Sequence, residues 1–582
     1  MKIVRPEILA VRSVNQYRRR DILPYLGLRY YLANLCAVRD GWAVDVASHL
    51  VTSRRSPVYF HALHFKEYQE GRSIEFRQMH LPGPNEALAE AALLNECSQH
   101  PRAFQTLPCV FSYRFAPPNS PAGIFETYFS GFRERHAAVA NACKQNVNAT
   151  VLYTDIRRFY PSISTASAET AWARACDAVN LSSKFRQLGQ KMLNDHGAVA
   201  AGIENCMGLL TGPMVSHLIG NLVLREIDVR MNEAMLGNYF RYVDDIILTG
   251  EEAKVSEGRR RLSDLLEAQG LRLHESGKDF RVSGSDWLAG EHDFADDGYR
   301  PNWMAVVRGL KELLLGKPDV RGELMRAFTA QEMRFPLPDF SESVMEASYL
   351  KKLVRRLRYS VARLQARGVR VTGLLHDAVV VRDAYAHALR EHLVGASELH
   401  GYARKRRIPK LRFFAGRLTY LATPQMLLEF SASLRVLPEL RLIAEIFKTV
   451  ATEDATGLLS FGINAVQAAA QVLRISNRPV RCRPAAWGIA EMQGLAILRL
   501  NGVTTDTGDD FNVPVDELNR FALWDQGNAL MNSEDPFIRE LACLHGVDDG
   551  RRHASVLDSA FDREEQLAFD AIAQLQPSSL NA

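Results

Sequence analysis

The sequence predicts an α+β fold in which a small antiparallel sheet carries a cluster of aspartates and a long helical region follows. Between residues 105 and 290, short apolar runs alternate with stretches of helical periodicity, which predicts strands and helices in one mixed domain. Two β-favouring runs flank the pair Asp244-Asp245, and this spacing is typical of a two-residue β-hairpin. From about residue 300 onward, apolar residues recur at helical spacing almost throughout.

The composition is that of an ordinary globular chain. The 582 residues are 47% hydrophobic and 24% charged, and a chain of this length folds into about two to four domains. No apolar run is long enough to span a bilayer, and the segment Met1–Pro6 is unlike a secretory leader. Eight cysteines occur without a Cys-x-x-Cys pair, which argues against zinc ribbons and a disulfide framework. We therefore expect a cytoplasmic protein with no membrane contact.

The net charge of +4 combines two regions of opposite sign. Residues 501–582 contain five arginines, no lysine and sixteen acidic residues, a net charge of −11, which leaves +15 for residues 1–500. A basic body suits a polyanionic partner, whereas an acidic segment repels one. A solvated acidic domain is the alternative interpretation of residues 501–582. For residues 1–500, charge alone indicates no more than contact with nucleic acid.

The predicted hairpin places two carboxylates side by side. The β-favouring runs end at Val243 and resume at Ile246, which leaves Asp244-Asp245 as the turn. Adjacent aspartates repel each other, and a divalent cation would offset that repulsion. An ordinary acidic turn is the alternative interpretation.

A second strand brings a third carboxylate. The apolar run Val151–Thr154 ends in Asp155, and if this strand pairs beside the hairpin, the three carboxylates form one cluster. Clusters of this kind hold two Mg²⁺ ions about 3.5–4 Å apart, one to activate a 3′-hydroxyl and one to steady a triphosphate. Mn²⁺ can take the place of Mg²⁺ in such a site.

The order and spacing of the motifs resemble those of reverse transcriptases. Thr154–Ile163 resembles motif A, Gly208–Leu222 resembles motif B and Tyr242–Asp245 resembles motif C. The segment that leads to Lys278 resembles motif D, in which a lysine protonates the leaving pyrophosphate. The resemblance implies a right-hand polymerase with fingers, an RRM-like palm sheet and a helical thumb. It also implies two metal ions, held by the three aspartates and the backbone of Ile156.

The resemblance and the changes in sequence pattern together predict four regions. Residues 1–104 form an N-terminal region and part of the fingers, and residues 105–290 form the fingers and palm. Residues 291–425 form a helical thumb or connection with basic segments, and residues 426–582 form an all-α C-terminal domain with an acidic tail. The second region carries most of the resemblance.

Four residues of the resemblance concern the nucleotide. Tyr160 occupies the motif A position at which an aromatic ring of reverse transcriptases blocks a 2′-hydroxyl, so it implies selection of dNTPs. A core tyrosine is the alternative. Gly212 makes the tight turn of motif B. Arg114, in the expected strand Phe111–Phe115, resembles the basic residue that grips the triphosphate, with Arg77 as a second candidate. A surface arginine without a role is the alternative for Arg114.

Two basic segments are expected to bind nucleic acid. One is a helix over residues 345–370, and the other interleaves charge with aromatic rings over residues 402–417. Such patterns suit phosphate contacts and base stacking, although solvated helix faces can have the same composition. The predicted contacts are Arg355, Arg356, Arg358, Arg404, Arg406 and Arg407.

Departures from the usual motifs indicate which group of reverse transcriptases the chain resembles. Leu210-Thr211-Gly212 replaces the Pro-Gln-Gly of many members, and His274 stands where motif D often has asparagine. These variants and the long helical C-terminal half are similar to bacterial abortive-infection and defence-associated reverse transcriptases of the unknown groups. The similarity implies RNA-directed DNA synthesis in antiphage defence, with an RNA template or non-coding RNA and a DNA product. It also implies a homo-oligomer or a second defence protein. Template-independent or protein-primed nucleotidyl transfer and a catalytically silent RNA-binding scaffold are the alternatives.

Overall fold

The computed structural model has a mixed, helix-rich fold with small sheets. Apart from a few isolated positions, it describes residues 56–68, 74–117, 123–126, 128–146, 148–274, 279–291, 299–336, 368–476, 478–508, 516–523 and 529–545. Four predicted site residues lie outside the described residues, namely Lys278, Arg355, Arg356 and Arg358. None of the helices in these ranges is both long and apolar enough to cross a bilayer.

The chain divides into two compact units. The first contains the residues up to His61 together with Met79–Ala295, and the second contains Ala62–Gln78 and Asp296–Ala582. Two long strands near the start of the described chain, β1 (Tyr59–Tyr68) and β2 (Ile74–Pro82), pair with each other.

The first unit is built around a four-stranded sheet. Its strands are β3 (Thr150–Asp155), β4 (Tyr239–Tyr242), β5 (Asp245–Gly250) and β6 (Phe280–Ser283), in the spatial order β4-β5-β3-β6. The helices whose residues the structure describes here are α1 (Pro84–Ser98), α2 (Pro101–Phe104), α3 (Tyr128–Gln145), α4 (Phe159–Ser162), α5 (Thr165–Val179), α6 (Ser183–Ala200), α7 (Met214–Ala234), α8 (Glu252–Glu267) and α9 (Gly284–Glu291).

Every pairing in this sheet is antiparallel. Asp155 of β3 lies opposite Asp245 of β5, and Tyr242 of β4 lies opposite the same Asp245. The strand that ends in Asp155 therefore pairs beside the hairpin, as the sequence predicts. Successive side chains alternate between the two faces of a strand, so Asp155, Asp245 and Tyr242 share one face of the sheet.

Helices cover both faces of the sheet. On the aspartate face, the ring of Tyr128 in α3 lies 5.2 Å from the ring of Tyr242. On the opposite face, Gly258 of α8 packs against Leu248, because a Cβ added at this glycine would lie 3.4 Å from the leucine side chain. Burial on both faces explains why β3 reads as a nearly continuous apolar run in the sequence.

The segment Phe111–Phe115 corrects one sequence prediction. A strand was expected there, but the segment forms only isolated bridges at its ends, between Val110 and Arg241 and between Phe115 and Phe125. Tyr113, in the middle of the segment, has a φ of +50°. This left-handed conformation interrupts an extended chain despite the alternating sequence.

The described residues of the second unit are mainly helical from residue 299 onward, as the sequence predicts. Its α-helices in the described ranges are α10 (Tyr299–Gly316), α11 (Arg321–Ala330), α12 (Val371–Leu393), α13 (Gly401–Leu421), α14 (Pro424–Leu434), α15 (Arg441–Thr452), α16 (Thr456–Leu459), α17 (Ile463–Leu473), α18 (Ile489–Leu500), α19 (Glu517–Ala522) and α20 (Pro536–His545). Short 3₁₀ helices cover Pro318–Val320, Ala396–Glu398, Pro438–Leu440 and Ala529–Asn532.

The C-terminal region is not wholly helical, which corrects the expected all-α domain. Strands β7 (Val480–Arg481) and β8 (Thr505–Asp506) pair in parallel. The Arg483 guanidinium donates to both carboxylate oxygens of Asp506, at 3.0 and 2.8 Å, and holds the end of β8. Each strand has only two residues, too few for a period-2 pattern to be recognised in the sequence.

Candidate metal centre

The three predicted aspartates lie together. Asp155 ends β3, Asp245 begins β5 directly opposite it, and Asp244 occupies the preceding turn. One carboxylate oxygen from each residue lies within 4.8 Å of the other two. Asp155 and Asp245 are buried, with 6% and 4% of their surface exposed, whereas Asp244 is half-buried. This arrangement could hold a metal ion, because it brings three hard oxygen donors together.

The hairpin turn lies one residue earlier than the sequence predicts. Val243 and Asp244 form the turn, and Asp245 already belongs to β5. The prediction of Asp244-Asp245 as the turn was wrong because Asp245 pairs with both neighbouring strands and is fixed within the sheet. Val243 takes the left-handed conformation instead, with a φ of +57°.

The electrostatics of the cluster oppose its ionised form. Burial, followed by the charge of Asp244, raises the pKa of Asp245 well above its ordinary value, although the Arg135 guanidinium lowers it. A bound cation favours the charged form of a carboxylate and so opposes this effect. A bound cation would therefore stabilise the ionised form of Asp245, which burial and the charge of Asp244 disfavour.

An arginine that the sequence did not single out lies next to the carboxylates. Arg135 of α3 is 97% buried, and its guanidinium lies 5.4 Å from the ring centre of Tyr242 and 6.0 Å from that of Tyr153. Burial, followed by the charge of Asp245, raises the pKa of Tyr153 well above its ordinary value. Arg135 lies on a helix with no motif of its own, so only tertiary packing reveals its proximity to the cluster.

Tyr160 is held by a second residue that the sequence analysis missed. Its hydroxyl lies 2.5 Å from Nδ1 of His217 in α7. The His217 ring in turn stacks on Tyr113, with ring centres 3.6 Å apart and planes 8° from parallel. A Cβ at Gly220 would lie 3.3 Å from the Tyr160 ring. The ring of the predicted gate is therefore confined on two sides, although its role in nucleotide selection stays a prediction.

The turn at Gly212 has the tight geometry that the sequence predicts. Gly212 has a φ of +127°, and a Cβ there would lie 2.6 Å from the carbonyl oxygen of His80. The His80 amide donates to the Thr211 carbonyl at 2.8 Å, so the two segments approach closely. Just beyond the turn, Glu90 accepts from the Met214 amide at the start of α7, at 3.0 Å. Contact between Gly212 and a nucleotide stays a prediction.

The two predicted triphosphate ligands differ in their placement. Arg114 belongs to the first unit, where it donates to the Val110 and Pro108 carbonyls and forms an ion pair with Glu134 at 2.6 Å. Binding of a triphosphate would have to replace the Glu134 contact. Arg77 belongs to the second unit. Both assignments stay predictions.

The basic segment of α13 makes contacts within the second unit. Arg404 binds Glu439 through two hydrogen bonds of 2.6 and 2.8 Å, and Arg407 donates to the His392 carbonyl at 3.0 Å. Arg406 lies 5.9 Å from the ring centre of the tyrosine one turn earlier. Donors used in these contacts are engaged before any phosphate arrives, and the predicted nucleic-acid contacts stay untested.

Comparisons with known proteins show only weak similarity to solved structures. No model of a known protein family and no sequence of a curated protein matches the chain. Among solved structures, the chain is similar to telomerase from Candida albicans in complex with the TWJ fragment of telomeric RNA. The TM-score is 0.29 and the identity 10%, over 58% of this chain and 65% of that chain, which is less than two thirds of its length. A similarity of this size identifies neither a family nor a function.

Proposed function

We propose that the protein is a nucleotidyltransferase of the reverse-transcriptase type that adds dNTPs to a hydroxyl primer by a two-metal mechanism. One observation carries the proposal: Asp155, Asp244 and Asp245 offer carboxylate oxygens within 4.8 Å of one another at the end of an antiparallel strand pair. Their placement supports the assignment because motifs A and C, 89 residues apart from Asp155 to Asp244, meet at one site.

The donor set fits Mg²⁺ or Mn²⁺. Carboxylates are the oxygen ligands that these ions take from proteins. Burial, followed by the charge of Asp244, raises the pKa of Asp245, and a cation would oppose both effects. The three aspartates and the Ile156 carbonyl would hold the ions. When bound, two ions lower the pKa of the attacking hydroxyl and stabilise charge on the triphosphate and the leaving pyrophosphate.

Other residues of the chain bind and select the substrate in this proposal. The Tyr160 ring lies between His217 and Gly220. In this position it excludes a 2′-hydroxyl and so favours dNTPs. Arg114 exchanges its Glu134 contact for the triphosphate, and Lys278 protonates the pyrophosphate. The RNA template, the DNA product and a role in bacterial antiphage defence are inferred from the resemblance of the motifs alone.

The test is nucleotide incorporation by the full chain. The purified protein is incubated with Mg²⁺ and one labelled dNTP or NTP at a time, with and without an RNA template and primer. We expect dNTP incorporation that depends on Mg²⁺ and on the template, and that Asp244→Ala abolishes without loss of folding.

Each alternative function has its own outcome. Incorporation without a template indicates a terminal transferase, and labelled product that stays on the protein after nuclease treatment indicates protein priming. RNA binding without any incorporation indicates a scaffold. Normal incorporation by Asp244→Ala would disprove the assignment of the site.

A further inference from the structure

The turn that carries Asp244 has a backbone conformation that its sequence does not favour. Val243 has a φ of +57°, and a β-branched residue in the left-handed region is an outlier because its side chain crowds the backbone. Such conformations persist only where the surrounding structure fixes them, and they concentrate at functional sites. The contacts of Val243 therefore identify what fixes this turn.

Side chains from two other positions hold both backbone groups of Val243. The Ser112 hydroxyl oxygen accepts from the Val243 amide at 2.8 Å, and Nη1 of Arg241 donates to the Val243 carbonyl at 2.8 Å. Ser112 and Arg241 have no exposed surface. Neither contact belongs to the strand ladder, and both hold the backbone of the turn itself.

Arg241 is itself fixed by a buried ion pair. Its Nε and Nη2 donate to the two carboxylate oxygens of Asp228 in α7, at 2.7 and 2.6 Å. The Tyr239 hydroxyl donates to the same carboxylate at 2.9 Å. Nη1 of Arg241 also donates to Asn221, at 3.1 Å. The guanidinium therefore has one orientation, in which Nη1 reaches the turn.

Stability alone is a poor explanation for this network. Burial of an ion pair removes both charges from water, and apolar residues of similar volume often serve stability equally well. An apolar pair, however, could not donate to the Val243 carbonyl. The geometry that is specific to Arg241 is the fork that reaches Asp228 and the turn at the same time.

We propose that Ser112, Arg241 and Asp228 are positioning residues that hold the metal-binding turn in its left-handed conformation. Asp244 directly follows Val243, so the backbone angles of Val243 set the direction of the Asp244 carboxylate toward its partners. The Asp244 carbonyl also accepts from the Ile156 amide at 3.1 Å, which ties the turn to the end of β3. This inference rests on the proposed metal site and predicts a loss of metal affinity when the turn is released.

The test uses the conformational freedom of glycine. Glycine adopts positive φ without strain, so in Val243→Gly the turn depends less on its two side-chain contacts. We expect Ser112→Ala to weaken Mn²⁺ binding about tenfold, which corresponds to about 1.4 kcal/mol, the order of one buried hydrogen bond. Val243→Gly should bind Mn²⁺ like the wild type. The double variant Ser112→Ala/Val243→Gly should recover most of the lost affinity.

The measurement is a titration of the nucleotide-free protein with Mn²⁺, in which the free ion is followed by electron paramagnetic resonance. Urea unfolding of each variant reports stability separately. A Ser112→Ala protein that loses stability but binds Mn²⁺ normally would overturn the inference. So would a double variant that binds no better than Ser112→Ala.

Arg241 requires a conservative variant because its removal would leave the Asp228 carboxylate buried without its cation. Arg241→Lys keeps the positive charge but lacks the fork that reaches both Asp228 and Val243. We expect weaker Mn²⁺ binding in Arg241→Lys and recovery in Arg241→Lys/Val243→Gly. Loss of affinity that Val243→Gly does not rescue would contradict the role of the turn.

The outcomes separate this inference from the proposed function. A wild-type protein that binds Mn²⁺ but incorporates no nucleotide disproves the polymerase function, while the rescue by Val243→Gly still decides the role of the network. A wild-type protein that binds no more Mn²⁺ than Asp244→Ala overturns both.

Discussion

Single substitutions of Tyr160 can separate the effect of its ring from the effect of the hydroxyl that contacts His217. Tyr160→Ala removes the ring, and Tyr160→Phe removes only the hydroxyl that lies 2.5 Å from His217. If the ring blocks a 2′-hydroxyl, Tyr160→Ala should reduce the preference for dNTPs over NTPs by roughly 10–200-fold, the range in which steric pockets discriminate. Tyr160→Phe should keep the preference. The measurement is kcat/KM for each nucleotide, and equal preferences in the wild type and Tyr160→Ala would exclude the gate.

His196 makes the stability of the first unit depend on pH. Its ring is fully buried, and burial, followed by the nearby His80, lowers its pKa to about 3. The unfolded chain takes up a proton near pH 6.5, while the folded protein does not. The contribution of His196 to the free energy of unfolding is therefore fully present above pH 6.5 and is lost as the pH falls toward 3. We expect this protonation to lower the free energy of unfolding by about 2 kcal/mol at pH 5 relative to pH 7.

The variant His196→Phe tests this pH dependence. Phenylalanine keeps an aromatic ring against Tyr59, which contacts the His196 ring edge-on at 5.4 Å, but it has no proton to bind. We expect a smaller decrease in the free energy of unfolding between pH 7 and pH 5, measured by urea titration. The control is His387→Phe, at a side chain that is 73% exposed. A decrease as large as that of the wild type would contradict the assignment to His196.

Among the elements, strands β3 and β5 could be predicted and the turn between β4 and β5 could not. The apolar run before Asp155 and the spacing around the aspartate pair are local patterns, and the pairing of the strands follows from them. The position of the turn depends on Ser112 and Arg241, which stabilise a left-handed valine through tertiary contacts. Local propensity disfavours that valine, so no local pattern could have placed the turn there.

The prediction of a strand over Phe111–Phe115 was wrong for the same physical reason. Its alternation of aromatic and polar residues is typical of a strand, yet Tyr113 leaves the extended conformation and stacks on His217. Arg135 and His217 were also missed, because each acts through a neighbour from another element. The carboxylates could be recognised because their chemistry is visible in the sequence, whereas the residues around them are identified only by packing.

The turn that precedes α7 provides a prediction at the scale of elements. Gly212→Ala would place a Cβ 2.6 Å from the His80 carbonyl at a φ of +127°, which combines backbone strain with a steric clash. The matched control is Gly237→Ala, where φ is +85° and no atom lies within 4 Å of the added Cβ. We expect Gly237→Ala to cost about 1 kcal/mol of unfolding free energy through strain alone. Gly212→Ala should cost clearly more in the same urea titration, and equal costs would show that His80 moves freely.

At the scale of the whole molecule, the predicted boundary near residue 425 divides a compact unit. Residues 62–78 and 296–582 form one unit, in which Phe65 packs on Phe461 with ring centres 5.4 Å apart. The Phe65 amide donates to the Asn464 side chain at 2.8 Å, and the Leu63 amide donates to the Gln493 side chain at 3.0 Å. Residues separated by about 400 positions in the sequence therefore depend on each other. No change in composition near residue 425 reveals this dependence.

Truncation after residue 425 should therefore destabilise the protein and not merely remove an accessory domain. It would expose the Phe65 ring and leave two backbone amides without their side-chain partners, at a cost of about 1–3 kcal/mol for each amide that stays buried.

The point variant Asn464→Leu tests the same contact within the full chain, because leucine has a similar volume but cannot accept from the Phe65 amide. We expect Asn464→Leu to lose about 1–3 kcal/mol of unfolding free energy in urea. Its control, Gln467→Leu, alters a half-buried residue of the same helix whose side chain forms hydrogen bonds with Asn501. A truncated protein that unfolds at the same urea concentration as the full chain would show that residues 62–78 do not need the C-terminal helices.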